Sequence, residues 1–332
     1  MKILDTPLRW ILYPFVRPFL AMPGKTHRGE LPPLTPGERE ILVNLQRHVG
    51  KLAGEIGERN IHKGLEDGKQ YVVETLKALG YVPDIHEFAL DGFQYANIET
   101  EIRAASRSDE ILVIGAHYDT VFNSPGADDN ASGVAALFEI ARLLKASRPA
   151  RTIRIVFFAN EEHPLNTSAW ESMGSFFYAK RCHERGENLV GMLVLEMLGI
   201  YSDGGGSQTY PYPLSLFYPQ VANFIAFVGN YRSRDLVRRS VASFRSHTAF
   251  PSEGGAPPEL FRDIGRSDHW SFWQFGYQGV MVTDTSNFRY RDYHTPADTP
   301  DRLDFERMTR VTAGLARTVS ELAGAGARVS NT

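Results

Sequence analysis

Through most of the chain, short apolar runs alternate with stretches whose apolar residues recur every three or four positions. The runs at 111–116, 153–159, 190–195 and 279–283 have the length and β-branched content of buried strands. Val134, Leu137, Phe138, Ala141 and Leu144 share one helical face, which predicts a helix over 134–144. Similar spacing predicts helices over 38–52, 65–79, 168–181 and 305–322. Segments 85–90 and 95–102 flank Asp91-Gly92, a dipeptide that accepts positive φ, and predict a hairpin with a three- or four-residue connection and an antiparallel edge. Strands alternating with helices define an α/β class with a mixed, mainly parallel central sheet flanked by helices. Segments 201–220 and 250–266, rich in Gly and Pro, predict long surface loops.

Three segments follow: an N-terminal apolar segment and Pro-rich linker at 1–35, a single catalytic domain at 36–325 and a tail at 326–332. The first is interrupted by Pro14, Arg17 and Pro18, so no run approaches the roughly 20 apolar residues of a membrane span. It offers only a poor version of an export signal. Residues 8–22 therefore read either as an interfacial membrane contact or degraded export signal, or as a plain docking segment. A cytoplasmic and a membrane-associated or exported location both stay open, as does the oligomeric state.

Composition narrows the chemistry. With 332 residues, 42% hydrophobic and 11% aromatic, the chain can bury an enzyme-sized core. Thirty-six basic against 39 acidic residues, with no long run of either sign, point away from nucleic acid. Cys182 is the lone cysteine, which excludes an internal disulfide and a thiolate zinc site. A metal here rests on His, Asp and Glu.

In open α/β sheets, ligands gather beyond the carboxyl ends of the strands. His117 and Asp119 follow the first predicted strand, Glu161 and Glu162 the second, and Glu196 the third, while His294 lies beyond the fourth. Asp128 and Asp129 precede a helix. Singly, these are ordinary: a hydrogen-bonded loop, a helix cap with favourable charge, a solvated pair. Glu196 differs, because it follows Leu193-Val194-Leu195 directly and an unpaired carboxylate there is costly. Jointly, two histidines and three carboxylates suit a pair of zinc ions about 3.5 to 4 Å apart, with one Glu left over as base. The same set also suits one ion with the remainder orienting its ligands.

Five segments together resemble the M28 zinc peptidases: Gly115-Ala116-His117-Tyr118-Asp119, Gly126-Ala127-Asp128-Asp129 with Ser132-Gly133, Glu161-Glu162, Arg266-Ser267-Asp268-His269 and Tyr293-His294-Thr295-Pro296. The resemblance spans about residues 60 to 322 and implies the fold of zinc-dependent exopeptidases. It also implies two zinc ions, with Asp129 as bridge, His117 and Glu196 on one and Glu162 and His294 on the other. It makes Asp128 a neighbour, Glu161 the general base, Asp119 the acceptor of the free His117 ring N–H, and Tyr293 a donor to the oxyanion. Arg266 and Asp268 match a segment lining the substrate pocket. The implied reaction is aminopeptidase hydrolysis of a peptide with a free N-terminus. Glutaminyl cyclases share this fold, so cyclisation of N-terminal Gln is the rival reaction, and a receptor-like domain without turnover is the non-enzymatic rival. The retained spare Glu speaks against the latter.

Two departures from the pattern stand out. Well-known members more often carry Asp where Glu196 stands, and the added methylene moves the carboxylate by about 1.5 Å. His163-Pro164-Leu165-Asn166 replaces the glycine-rich continuation common in the family, which points to altered substrate preference. His163 and His269 read as pocket or packing residues, Ser132 as a helix-start residue, and Trp270, Phe272, Trp273 and Phe275 as core packing or the wall of a hydrophobic substrate pocket. Gly204-Gly205-Gly206 lacks the Lys-Ser/Thr pair of a phosphate loop.

Overall fold

The computed structural model describes residues 7–60, 63–106, 108–162, 170–212 and 214–325. Its elements in chain order are α1 (Pro7–Leu20), α2 (Pro36–Val49), α3 (Lys63–Ala78), β1 (Asp84–Leu90), β2 (Phe93–Ile102), β3 (Glu110–His117), α4 (Gly133–Leu144), β4 (Thr152–Phe158), α5 (Gly174–Glu184), β5 (Asn188–Glu196), β6 (Ile225–Gly229), α6 (Arg234–His247), β7 (Ser252–Gly255), α7 (His269–Gln274), β8 (Gly279–Thr283) and α8 (Phe305–Leu322). The strands form one sheet in the order β1-β2-β4-β3-β5-β8-β6-β7. The β4-β3-β5-β8 centre is parallel, and antiparallel pairs flank it at β1-β2-β4 and β8-β6.

Strand periodicity sorts each central run into two cores. On one face Leu112, Ile114, Ala116, Ile153, Ile155, Leu193, Leu195, Val280 and Val282 pack with α2, α4, α6 and α8. On the other, Val113, Val156, Phe158, Met192, Val194 and Met281 meet Tyr178 and Cys182 of α5 and Phe272 of α7. Phe272 and Trp273 are buried, and Trp270 packs edge-on against Trp170, so this aromatic group is packing and does not line the substrate cavity.

Several expectations are corrected. The hairpin connection is the two residues Asp91 and Gly92, at φ 50° and 83°, because left-handed residues match the twist of the strands they join. The helix expected over 38–52 starts at Pro36 behind a Thr35 cap, and Thr35 and Glu38 exchange hydrogen bonds in a capping box. Residues 7–20 are helical through Pro14 and Pro18. Segment 250–266, expected as loop, contains β7, whose Ser-Glu-Gly-Gly sequence has no apolar signal and pairs only because β6 presents an edge. Residues 163–166 and 326–332 lie outside the described residues.

The end of α1 and the irregular segment after it run along β7 and α6. Ala256 N–H donates to Phe19 O at 3.0 Å, Arg245 Nη1 to Pro23 O at 2.9 Å and Ser252 N–H to Thr26 Oγ1 at 2.8 Å.

Candidate metal centre

The carboxyl ends of the parallel strands bring the predicted ligands together, as the crevice rule requires. His117 ends β3 and Glu196 ends β5, while Glu161 and Glu162 follow β4 after Asn160, which turns the chain at φ 58°. Asp129 sits in the irregular turn Ala127–Ser132 that leads into α4. Gly126 opens this turn at φ 60°, where an added Cβ would lie 2.2 Å from Asp129 O. Gly133 lets α4 approach β5, since a Cβ there would lie 2.5 Å from Leu195 O. His294 reaches the site from a loop and itself adopts φ 59°.

The ligand atoms form two triads that share Asp129. Asp129 Oδ1 and Glu196 Oε2 each lie 3.3 Å from His117 Nε2. Asp129 Oδ2 and Glu162 Oε1 each lie 3.1 Å from His294 Nε2. The two oxygens of one carboxylate therefore face two different imidazoles. Glu161 faces His117 together with Glu162.

A bound cation fits what the protein leaves unsatisfied. Both ring nitrogens of His117 and Oδ1 of Asp129 are buried without a hydrogen-bond partner, a costly arrangement that metal coordination relieves. The donor set of imidazole nitrogens and carboxylate oxygens suits zinc. Without metal the carboxylates hold protons on the imidazoles: burial lowers the pKa of His294, but hydrogen bonds to Asp129 and Glu162 override it and raise it to about 10. Burial likewise lowers that of His117, and Glu196, Asp119 and Asp129 carry it well above its ordinary value. Burial raises Glu161 well above the usual carboxyl range; Glu162, Glu196 and Asp268 add to this against the opposing pull of His117.

Asp119 faces His117 without the hydrogen bond expected between them. Its Oδ1 lies 3.5 Å from His117 Nδ1, long for a hydrogen bond, while its two oxygens accept the backbone N–H groups of Glu161 at 3.2 Å and Glu162 at 3.1 Å. It thereby fixes the acidic pair. Tyr293 stacks on His294 with ring centroids 3.7 Å apart, and burial together with Asp129 and Glu162 raises its pKa, keeping the phenol a donor. Arg266 lines the same cavity with its Nη2 3.5 Å from the Tyr293 hydroxyl. Asp268 does not line it, which corrects its expected place in the substrate pocket. It is wholly buried behind the ligands, and burial, with Glu196 and Asp119, raises it to about 7. Asp128 is a neighbour whose Oδ1 accepts Gly199 N–H at 2.8 Å. His269 is buried with Nε2 on Ile264 O, and Ser132 Oγ donates to Asp128 O at 2.6 Å.

Four supporting residues escaped the sequence reading. Asn130 Nδ2 donates to Leu195 O at 2.8 Å and its Oδ1 accepts Gly133 and Met197 N–H at 3.1 Å each, tying Asp129 to the end of β5. Asp298 accepts the N–H groups of Asp128 at 2.9 Å and Asp129 at 3.1 Å, and Ser267 Oγ donates to Glu196 Oε2 at 2.7 Å. Arg59, fully buried, donates to the carbonyls of Leu52, Gly57, Tyr118, Pro125 and Gly126. Burial lowers its pKa to about 10, so it keeps a positive charge beside a strongly acidic site. Asn130 and Asp298 stand within or just after recognised segments, but nothing in their spacing marks them. Arg59 has no sequence signal at all.

Nitrogen and oxygen donors in paired triads at the carboxyl edge of a mainly parallel sheet fit the metal centre of a zinc-dependent hydrolase. The model of peptidase family M28 matches residues 97–319, and the chain belongs to that family as a zinc metallopeptidase. The uncharacterized protein YfbL of Escherichia coli (strain K12) is 36% identical over 260 residues, covering 76% of this chain and 78% of its own. A zinc aminopeptidase from Bacillus subtilis superposes with a TM-score of 0.69 at 14% identity, over 91% of this chain and 100% of that one. A glutaminyl cyclase from Fimbriiglobus ruber superposes with a TM-score of 0.64 at 19% identity, over 90% and 99%. At such identities the two structures share the fold.

Proposed function

We propose that the protein is a two-zinc aminopeptidase that hydrolyses the first peptide bond of a chain with a free N-terminus. The observation that carries this is the division of Asp129, with one oxygen toward His117 and Glu196 and the other toward His294 and Glu162. His117 and Glu196 would hold one ion, His294 and Glu162 the other, with Asp129 between them. When bound, zinc activates water and polarises the scissile carbonyl. Glu161 accepts the proton of the attacking water and delivers it to the leaving amine. Tyr293 donates to the developing oxyanion, and Arg266 beside its hydroxyl supports that donation. Asp119 holds Glu161 and Glu162 in register through their backbone N–H groups.

Cyclisation of N-terminal Gln uses the substrate's own amine as nucleophile and needs no activated water, so a complete second ligand triad favours hydrolysis. The test is zinc content of the purified protein with aminoacyl anilides and a Gln-cyclisation assay run in parallel. Two zinc equivalents with anilide hydrolysis are expected. Cyclisation without hydrolysis, or one tightly held ion sustaining full activity, overturns the reading.

The proposal extends to location. Helix α1 exposes Tyr13 and Phe15, and residues 6–29 carry Arg9, Arg17, Lys25 and Arg28 without an acidic residue. No helix among the described residues is long and apolar enough to cross a membrane. Such a helix suits the plane of an anionic lipid interface.

A further inference from the structure

The cavity at the metal ligands continues along the sheet to its far edge. Glu196 of β5 pairs with Thr283 of β8, Thr283 with Ala226 of β6, and Ala226 with Glu253 of β7. Paired residues share a face, so these four form one row across the sheet, and all line the cavity. At about 4.8 Å per strand, the Glu253 backbone stands about 14 Å from that of Glu196. The short Thr283 and Ala226 side chains leave the floor between them low. Tyr210, Tyr218 and Phe261 line the same cavity.

Alternation along β7 fixes where Glu253 points. A Cβ on Gly254 would meet Val241 of α6 at 2.9 Å, whereas one on Gly255 would meet the Tyr218 hydroxyl at 2.5 Å. Glu253 shares the Gly255 face. Among the described residues its carboxylate accepts no hydrogen bond, and its single ion pair is with Arg245 Nη2 at 4.0 Å. Arg245 already donates to Ser252 Oγ, Ser252 O and Pro23 O. An acidic group thus stands at the end of an aromatic-walled channel, with no hydrogen-bond donor in contact and only the more distant charges of Arg245 and Arg28 to offset it.

Resting on the aminopeptidase reading, we propose that this end of the cavity receives the substrate's N-terminal side chain and selects one with an apolar stem and a cationic end, lysine or arginine. The stem passes Ala226 and the aromatic walls, and the cation meets the Glu253 carboxylate. An extended lysine carries its ammonium about 6 Å beyond its α-carbon, a reach that leucine lacks. A leucine or norleucine side chain leaves Glu253 with only its long pair to Arg245.

Titration calorimetry with lysinamide, argininamide and norleucinamide tests this, run on the zinc-loaded full chain carrying Glu161→Gln so that the amides bind without being hydrolysed during the measurement. Both basic amides are expected to bind about 10- to 100-fold more tightly than norleucinamide, the range of a charge-assisted hydrogen bond, and Glu253→Gln should bring the ratio close to one. Equal affinities with Glu253 in place, or a ratio unchanged by Glu253→Gln, overturn the proposal. Anilides of lysine and norleucine separate it from the reading beneath it. A binding preference without hydrolysis of any anilide sinks the aminopeptidase and leaves the subsite standing. Hydrolysis with no preference for lysine sinks the subsite alone.

Discussion

Neighbouring residues at this site do different work, and Glu161 and Glu162 make the division testable. Glu162 lies 3.1 Å from His294 within a ligand triad, whereas Glu161 completes neither triad built on Asp129. Glu161→Gln keeps shape and one acceptor oxygen but cannot take a proton at neutral pH. Turnover should fall by about 10² to 10⁴ with zinc content and inhibitor affinity near those of the parent. Glu162→Ala should instead lose metal, because His294 and Asp129 are then the remaining ligands of that triad. Zinc analysis with steady-state kinetics on both variants decides the matter, and near-parental turnover by Glu161→Gln would remove it as base. The pair was legible as two acidic residues after a strand. That Asp119 clamps both backbone N–H groups was not, because Asp119 lies 42 residues from the first of them and the contact exists only once β3 and β4 lie side by side.

At the scale of elements, the N-terminal segment divides in two. Helix α1 exposes Tyr13 and Phe15, whereas Leu20 lines the catalytic cavity and residues 19–26 bond to α6, β7 and Ala256 just after it. Removing residues 1–16 should release the protein from anionic vesicles and leave the Michaelis constant unchanged. Removing 1–33 deletes three of the hydrogen bonds described above, at about 1 kcal/mol each. Melting should then drop by about 4 to 5 °C, with a raised Michaelis constant as a cavity wall is lost. Vesicle sedimentation, thermal melts and kinetics on the two truncations check this; identical behaviour of both refutes the division. The sequence could mark the segment as apolar and Pro-broken, but not that its second half walls the cavity, since the surface it covers is built by residues more than 200 positions later.

For the molecule as a whole, burial of neutral histidines sets an acid limit. Burial lowers the pKa of His48 to about 3, with Arg47 adding to it, and burial lowers that of His269 to about 4. Both lie below the unfolded value of about 6.5, so the unfolded chain takes up protons first as pH falls. Their stability contribution is complete above pH 6.5 and declines by up to about 1.4 kcal/mol per pH unit for each histidine as pH drops toward 4. Urea unfolding at pH 7.5 and 4.5 should show His48→Gln less acid-sensitive than the parent by about that slope, and equal slopes would deny His48 the role. What the sequence by itself determined is the local part: the α/β class, the central strands and helices, and a ligand set placed just beyond strand ends. Side-chain periodicity and short motifs act within a few residues and survive without neighbours. Tertiary structure alone decided that Asp129 turns one oxygen to each histidine, that Asp268 is buried behind the ligands, and that Arg59 holds the turn before Asp129. It also decided that Glu253 shares a row with Glu196, because strand order and register bring together residues 57 positions apart that no local pattern relates.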